Sequence, residues 1–451
     1  MKKKLVMIGA GSAMFTQGII VDLLQKKPGG HQWTIGLCDT NDEVLADIKA
    51  FVKKVIQEKG EPIEVEASSD RREVLPGADY IVSTIGVGGR QAWEQDVLIP
   101  RKYGVFQPVG DTLMPGGISR ALRMVPAMVD IVSDTKKIAP QAKFFNYSNP
   151  MAVICGALNQ AVDFPVTGLC IGTVESAWEI ADYMGYDRKS VTTLAAGLNH
   201  CTFIYDIRVD GVSVLEDICE KVKHDYSQVI GLNPSGEGDV PNEIAQLSNP
   251  FCWSFFLNHM AYPAPGDRHV SEFFTEYFKG GQYYGRTLGV DAYSFENTIQ
   301  WGNKIHDEIV AKARTDTSLG KDFFGQFHGE HEQLIDIIDS IEKDSRKLYY
   351  ANLPNEGAVS NITSGTVLEM PAVATANGLL PLIQKDFPNE LAAFTNRFGA
   401  HVQLVVDAAL KGSRALVEEA IISGGYINDI SSVRNMVDEL LTTHKVYLPQ
   451  F

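Results

Sequence analysis

No stretch of this chain approaches the roughly 18 uninterrupted apolar residues that a membrane span requires, so a membrane partner is not expected. Cysteine is scarce. The six that occur, Cys38, Cys155, Cys170, Cys201, Cys219 and Cys252, follow no framework spacing. A disulfide scaffold is thereby excluded, and a reducing compartment, the cytoplasm, is expected. Basic charge is in deficit, with 40 Lys and Arg against 56 Asp and Glu and a formal net charge of -16. No basic tract is long enough to track a phosphate backbone, so nucleic acid is not an expected partner. Met1-Lys2-Lys3-Lys4 resembles the basic end of a signal peptide, but the apolar run behind it breaks at Gly9-Ala10-Gly11 and reads as a first strand instead. Repeats, low-complexity tracts and polar linkers are also missing. What remains is an ordinary globular composition, 45% hydrophobic over 451 residues, enough for two closely packed domains.

Leu5 to Ile8 is a short apolar run that ends in a glycine-rich turn, and apolar residues then recur at helical spacing from Phe15 to Leu24. A second strand is expected over Trp33 to Cys38, a helix from about Glu43 to Glu58, and further strands over Tyr80 to Ile85, Lys143 to Tyr147 and Val166 to Cys170. Strands alternating with helices imply an α/β fold, a Rossmann-type doubly wound parallel sheet whose ligands gather at the carboxyl ends of its strands. Beyond about residue 195 the pattern changes to a strand over Thr202 to Val209 and long helical stretches, notably Glu296 to Ala313 and Phe398 to Ser423. We therefore expect a dinucleotide-binding domain over residues 1–195 and a mixed α+β domain over residues 196–451, with the site between them.

Gly9-Ala10-Gly11-Ser12 follows a strand and opens a helix, where missing Cβ atoms let backbone amides approach a pyrophosphate. Asp39 ends the next strand and is placed to bind ribose hydroxyls. With no Arg or Lys in Asp39-Thr40-Asn41-Asp42-Glu43, NAD is expected in preference to its 2′-phosphorylated form. The motif departs from the usual fingerprint in carrying Met14 at the third glycine position and in the longer spacing to Asp39. A tight strand-to-helix turn without a ligand is the plainer alternative.

Asn146-Tyr147-Ser148-Asn149-Pro150 and Cys170 stand at strand ends, and Asn199-His200 at the mouth of the second domain. Taken singly they carry little, since a thiol is usually a small hydrophobe and a lone imidazole a satisfied structural residue. One thiolate and one imidazole also make an incomplete cage, whose other positions would fall to substrate oxygens or water. Together, however, Gly9-Ala10-Gly11-Ser12, Gly88-Gly89-Arg90, Pro115-Gly116-Gly117, Asn149-Pro150, Cys170 and Gly197-Leu198-Asn199-His200 follow one another as in glycoside hydrolase family 4. Asn352-x-Pro354-Asn355-x-Gly357 and Val367-x-Glu369-x-Pro371 look like that family's late motifs, so the resemblance spans nearly the whole chain.

The resemblance implies a fold like lactate and malate dehydrogenase, NAD with a divalent metal, usually Mn²⁺, and a homodimer or homotetramer. It implies Cys170 and His200 as metal ligands and Asn149 as a substrate contact. It also implies a reaction unlike that of two-carboxylate glycosidases: sugar C3 is oxidised by NAD, the C2 proton is removed, the aglycone is eliminated, water adds and the ketone is reduced again. For the base, the segment Tyr262 to His269 is the expected region, with Asp267 first and Tyr262 second; Asp267 as the cap of a helix near Val270 is the alternative. The family's usual acid follows the metal-binding cysteine, but Ile171 stands there, which leaves Asp111 in its glycine-rich loop ahead of Glu175. Arg90, Arg268 and His269 are candidates for an anionic substrate group. The segment Gln107 to Thr112 resembles that of galacturonidase-like members, so a uronide or unphosphorylated glycoside is expected over a 6-phospho-glycoside. Two rivals stay open: an NAD-dependent sugar or hydroxyacid dehydrogenase with net NADH formation, and a non-catalytic NAD-binding sensor.

Overall fold

The computed structural model describes residues 1–236, 247–315, 317–320, 323–326, 333–427 and 429–451. Its strands are β1 (Lys2–Ile8), β2 (Gln32–Cys38), β3 (Glu64–Ser68), β4 (Tyr80–Ser83), β5 (Lys143–Asn146), β6 (Val166–Gly168), β7 (Val191–Leu198), β8 (Cys201–Val209), β9 (Val212–Ser213), β10 (Tyr262–Ala264), β11 (Gln282–Tyr283), β12 (Arg286–Thr287), β13 (Leu348–Pro354), β14 (Val367–Thr375) and β15 (Gly378–Pro381). Six of them form a parallel sheet in the order β3-β2-β1-β4-β5-β6, the doubly wound arrangement expected. Leu5 to Ile8 and Tyr80 to Ser83 are buried at every position because helices cover both faces, which is why these strands read as unbroken apolar runs.

Beyond β6 the same sheet continues in antiparallel fashion, β6-β13-β14-β7-β8-β10. The β13–β14 hairpin, not anticipated from the pattern after residue 195, thus inserts between two strands that are neighbours in sequence. One expected helix is also two. Phe398 to Ser423 divides into Asn389–Lys411 and Arg414–Ser423, because Gly412 adopts φ +60° as a helix terminator and the Ser413 hydroxyl caps the next helix. No helix among the described residues is long and apolar enough to cross a membrane.

Local chemistry fixes the parts nearest the strand ends. At Gly9, φ is +86° and a Cβ would meet Ile85 N at 2.8 Å, so only glycine lets β1 turn against the end of β4. The loop after β4 is held from below by a buried ion pair. Arg123, in the helix Pro115–Ile138, donates Nη1 to Asp96 Oδ1 (2.8 Å), Nη2 to Asp96 Oδ2, and Nε to Val87 O (2.9 Å). Asp96 also accepts from Ser119 Oγ (2.7 Å) and lies 3.0 Å from His444 Nε2, which ties the C-terminal segment to this loop.

Candidate active site

The carboxyl ends of the parallel strands carry the expected cofactor residues. Gly11 N donates to Asp39 Oδ2 (2.8 Å) and Asn41 N to Asp39 Oδ1 (3.0 Å), so the acid at the end of β2 is fixed against the glycine turn. A Cβ on Gly11 would sit 2.6 Å from that carboxylate. Ser12 precedes the helix Ala13–Lys26 and makes no side-chain cap, which leaves the helix N-terminal amides facing outward.

Three polar side chains from three separate segments also converge. Asp111 comes from the loop before the helix Pro115–Ile138, His200 from the two-residue turn joining β7 to β8, and His269 from the short helix Asp267–Val270. Their ligand atoms all lie within 4.8 Å of one another, and they are the one such group among the described residues. The loop can carry Asp111 to this point because a Cβ at Gly117 would come within 2.4 Å of the Thr112 backbone; glycine there lets loop and helix touch. His200 adopts φ +71°, and its ring packs against that of His269 at a centroid distance of 4.1 Å, tilted by 46°.

Hydrogen bonding sets the protonation states. Thr112 Oγ1 donates its single proton to Asp111 Oδ1 (3.1 Å), so His200 Nδ1 must be the donor to Thr112 (2.8 Å), leaving Nε2 with its lone pair. Burial holds His200 below the usual imidazole range and His269 well below it, so both rings are neutral, as ligands require. Burial alone would raise Asp111; the charge that His200 and His269 carry when protonated, the Arg120 guanidinium and the hydrogen bond from Asn149 act the other way and hold its carboxyl below the ordinary range. Two imidazoles and one carboxylate suit a divalent transition metal, and His269 Nδ1 is buried without a hydrogen-bond partner among the described residues.

Other candidates lie elsewhere than expected. Cys170 is not one of the three; it lies just beyond β6, where its Sγ accepts from Gly172 N (3.5 Å). Asp111, the candidate proton donor, is itself a member of the group. Asp267 is not placed as a base either: fully buried, it accepts from Phe251 N (2.8 Å), Cys252 N (2.8 Å) and Tyr283 OH (2.7 Å). It caps the helix Pro250–His259, not the one near Val270. Tyr262, the second candidate, is packed against Trp253 at 4.8 Å, and burial raises its phenol well above the usual value. Asp267→Ala should therefore destabilise the protein by about 3 kcal/mol or more in urea unfolding, by stranding three donors. Unchanged stability with lost turnover would restore its role as base.

Asn149 Nδ2 donates to Asp111 Oδ2 (3.0 Å), joining the end of β5 to the group. Arg268 Nη2 is held by Thr298 Oγ1 (3.0 Å) and Arg90 Nε by Asn303 Oδ1 (2.6 Å). Arg120, not singled out from sequence, donates Nε to Asn149 O (3.0 Å), and burial lowers its pKa. Glu272 was also missed, although it closes the polar segment that begins at Asp267. Its Oε1 accepts from Val109 N (2.9 Å) and Gly110 N (2.7 Å), gripping the Asp111 loop, and burial pushes its carboxyl up to about 8.

Comparison with known proteins decides the family. The family 4 glycosyl hydrolase model matches residues 4–185, and the model of that family's C-terminal domain matches residues 195–424. The chain belongs to the family 4 glycosyl hydrolases. An alpha-galactosidase of Rhizobium meliloti is 28% identical over 99% of this family 4 chain and 89% of its own length. An alpha-galacturonidase of Thermoanaerobacter italicus is 25% identical over 99% and 97%. A 6-phospho-alpha-glucosidase from gut microorganisms, solved in complex with NAD and Mn²⁺, superposes with a TM-score of 0.80 at 19% identity over the whole of both chains. The expected likeness to the dehydrogenase fold holds too: malate dehydrogenase of Cryptosporidium parvum aligns with a TM-score of 0.55 at 13% identity over 91% of this chain and 99% of its own.

Proposed function

We propose that this family 4 glycosyl hydrolase cleaves a small unphosphorylated or uronic-acid glycoside with the help of NAD and a divalent metal, Mn²⁺ foremost. The observation that carries this is the convergence of Asp111, His200 and His269, tied through Asn149 to the end of β5, in a sheet whose parallel strands also carry the Gly9–Ser12 turn and Asp39 at their carboxyl ends. The amides of that turn and the N-terminus of the following helix receive a pyrophosphate, and Asp39 the adjacent ribose. His200 and His269 offer neutral nitrogens and Asp111 a charged oxygen to the cation, with Cys170 as the further ligand the family resemblance implies. Asn149 and Arg120 orient the sugar beside them, and Arg268 supplies charge for a uronate. When bound, the nicotinamide exchanges a hydride with sugar C3 and the metal withdraws charge from the neighbouring oxygens. A reducing compartment and a homo-oligomer go with this reading; no disulfide joins the six cysteines.

The test is hydrolysis of nitrophenyl glucosides, galactosides, galacturonides and their 6-phosphates, with and without NAD and Mn²⁺ under reducing conditions. Cleavage of a galactoside or galacturonide that requires both additives and leaves no net NADH is the expected result. NADH accumulating at 340 nm in step with substrate loss would instead identify a dehydrogenase.

A further inference from the structure

Two late motifs of the sequence, around Asn352 and Glu369, have no place in the site so far described, yet they lie on the two strands that separate β6 from β7. Cys170 lies just beyond β6 and His200 just beyond β7, and those strands are not neighbours; β13 and β14 run between them. Across these four strands Gly168, Asn352, Glu369 and Gly197 are paired in a single row. Directly paired residues on adjacent strands share a face, so the two polar side chains stand side by side between two glycines. Both are buried, at 0% and 1% relative exposure.

Glu369 reaches the turn that carries His200 from both sides. Its Oε2 accepts from Thr202 Oγ1 (2.8 Å) and from Asn199 Nδ2 (3.3 Å). These residues flank His200, whose left-handed backbone is one that L side chains rarely adopt and that surrounding contacts must hold. Glu369 also faces the Thr173 hydroxyl, and three further atoms of this row and turn, Asn199 Oδ1, Asn352 Oδ1 and Asn352 Nδ2, are buried with no hydrogen-bond partner among the described residues. Buried polar groups in folded proteins are satisfied, by ordered water where protein offers nothing. Donors and acceptors are both present here, as a bridging water needs.

We infer that Glu369 is a positioning residue for the metal-binding turn, gripping Asn199 and Thr202 so that His200 faces Asp111 and His269, and that Asn352 extends this polar row through internal water towards β6. The inference rests on the reading of His200 as a metal ligand. Residues that orient ligands from behind typically contribute 10- to 100-fold to metal affinity.

The experiment is a Mn²⁺ titration of the full chain, following free Mn²⁺ by electron paramagnetic resonance, with NAD affinity measured in parallel. Glu369→Ala should bind Mn²⁺ about 10- to 100-fold more weakly with NAD affinity unchanged. Glu369→Gln should recover most of the loss, since its carbonyl still accepts from Thr202. Thr202→Val removes one bond of the grip, should weaken Mn²⁺ several-fold, and decides the matter if Glu369→Ala does not fold. His200→Ala separates the two readings. Wild-type Mn²⁺ affinity in Glu369→Ala, or in Thr202→Val where the former does not fold, together with its loss in His200→Ala, would overturn the positioning role and leave the metal site standing. Undiminished binding in His200→Ala would remove both.

Discussion

Replacing His200 with alanine is expected to abolish Mn²⁺-dependent glycoside cleavage, lowering kcat/KM by more than about 100-fold. Even residues that only orient a ligand are worth 10- to 100-fold, and His200 would be a ligand itself. Two independent lines meet on this residue. The family resemblance pairs it with Cys170, whereas the geometry groups it with Asp111 and His269. Its loss is damaging under either arrangement, while His269→Ala and Cys170→Ala discriminate between them. The measurement is steady-state cleavage against Mn²⁺ concentration for the three variants. If His269→Ala raises the Mn²⁺ requirement and Cys170→Ala does not, the Asp111, His200 and His269 group is the resting site. His200→Ala with wild-type kcat/KM at every Mn²⁺ level would refute the assignment. NAD affinity should survive in all three, because the expected cofactor residues Gly9, Gly11 and Asp39 follow β1 and β2, whereas His200, His269 and Cys170 come from other segments.

The sequence announces the parallel half of this fold clearly, and for a physical reason. Strands covered on both faces become unbroken apolar runs, and Gly9 and Gly11 mark where backbone must pass close to backbone. The β13–β14 hairpin leaves no such trace. Its residues look like any buried strand, and nothing local to residues 348–375 states that they pair between β6 and β7. The site divides in the same way. His200 and Asp111 stand out as polar residues in glycine-rich or turn segments. Arg120 is one charge in a long helix, and only the tertiary fold brings it to Asn149 O. Asp267 misleads for the converse reason. Beside Arg268 and His269 it resembles catalytic equipment, but the amides of Phe251 and Cys252, which engage its carboxylate, arrive from a different segment.

Asp96→Ala should produce the largest loss of stability, about 3–5 kcal/mol, the usual result of deleting one partner of a buried ion pair. Arg123 is 1% exposed and Asp96 fully buried, so the orphaned guanidinium would keep only Val87 O as a partner and could not reach water. Ser119 Oγ would lose its acceptor as well. Urea or thermal unfolding checks this directly, and a variant as stable as the parent would show that the pair is not the anchor its geometry suggests. A double variant, Asp96→Leu with Arg123→Met, separates stability from function. Burying two charges costs nearly what their attraction returns, so apolar replacements of similar size should recover most of the lost stability. They cannot recover the bond from Arg123 Nε to Val87 O, which fixes the loop between β4 and the helix Gly89–Lys102 at the carboxyl edge of the sheet. The double variant should therefore unfold near the parent's midpoint yet bind NAD or substrate more weakly. Recovery of both would mean that the ion pair serves folding alone.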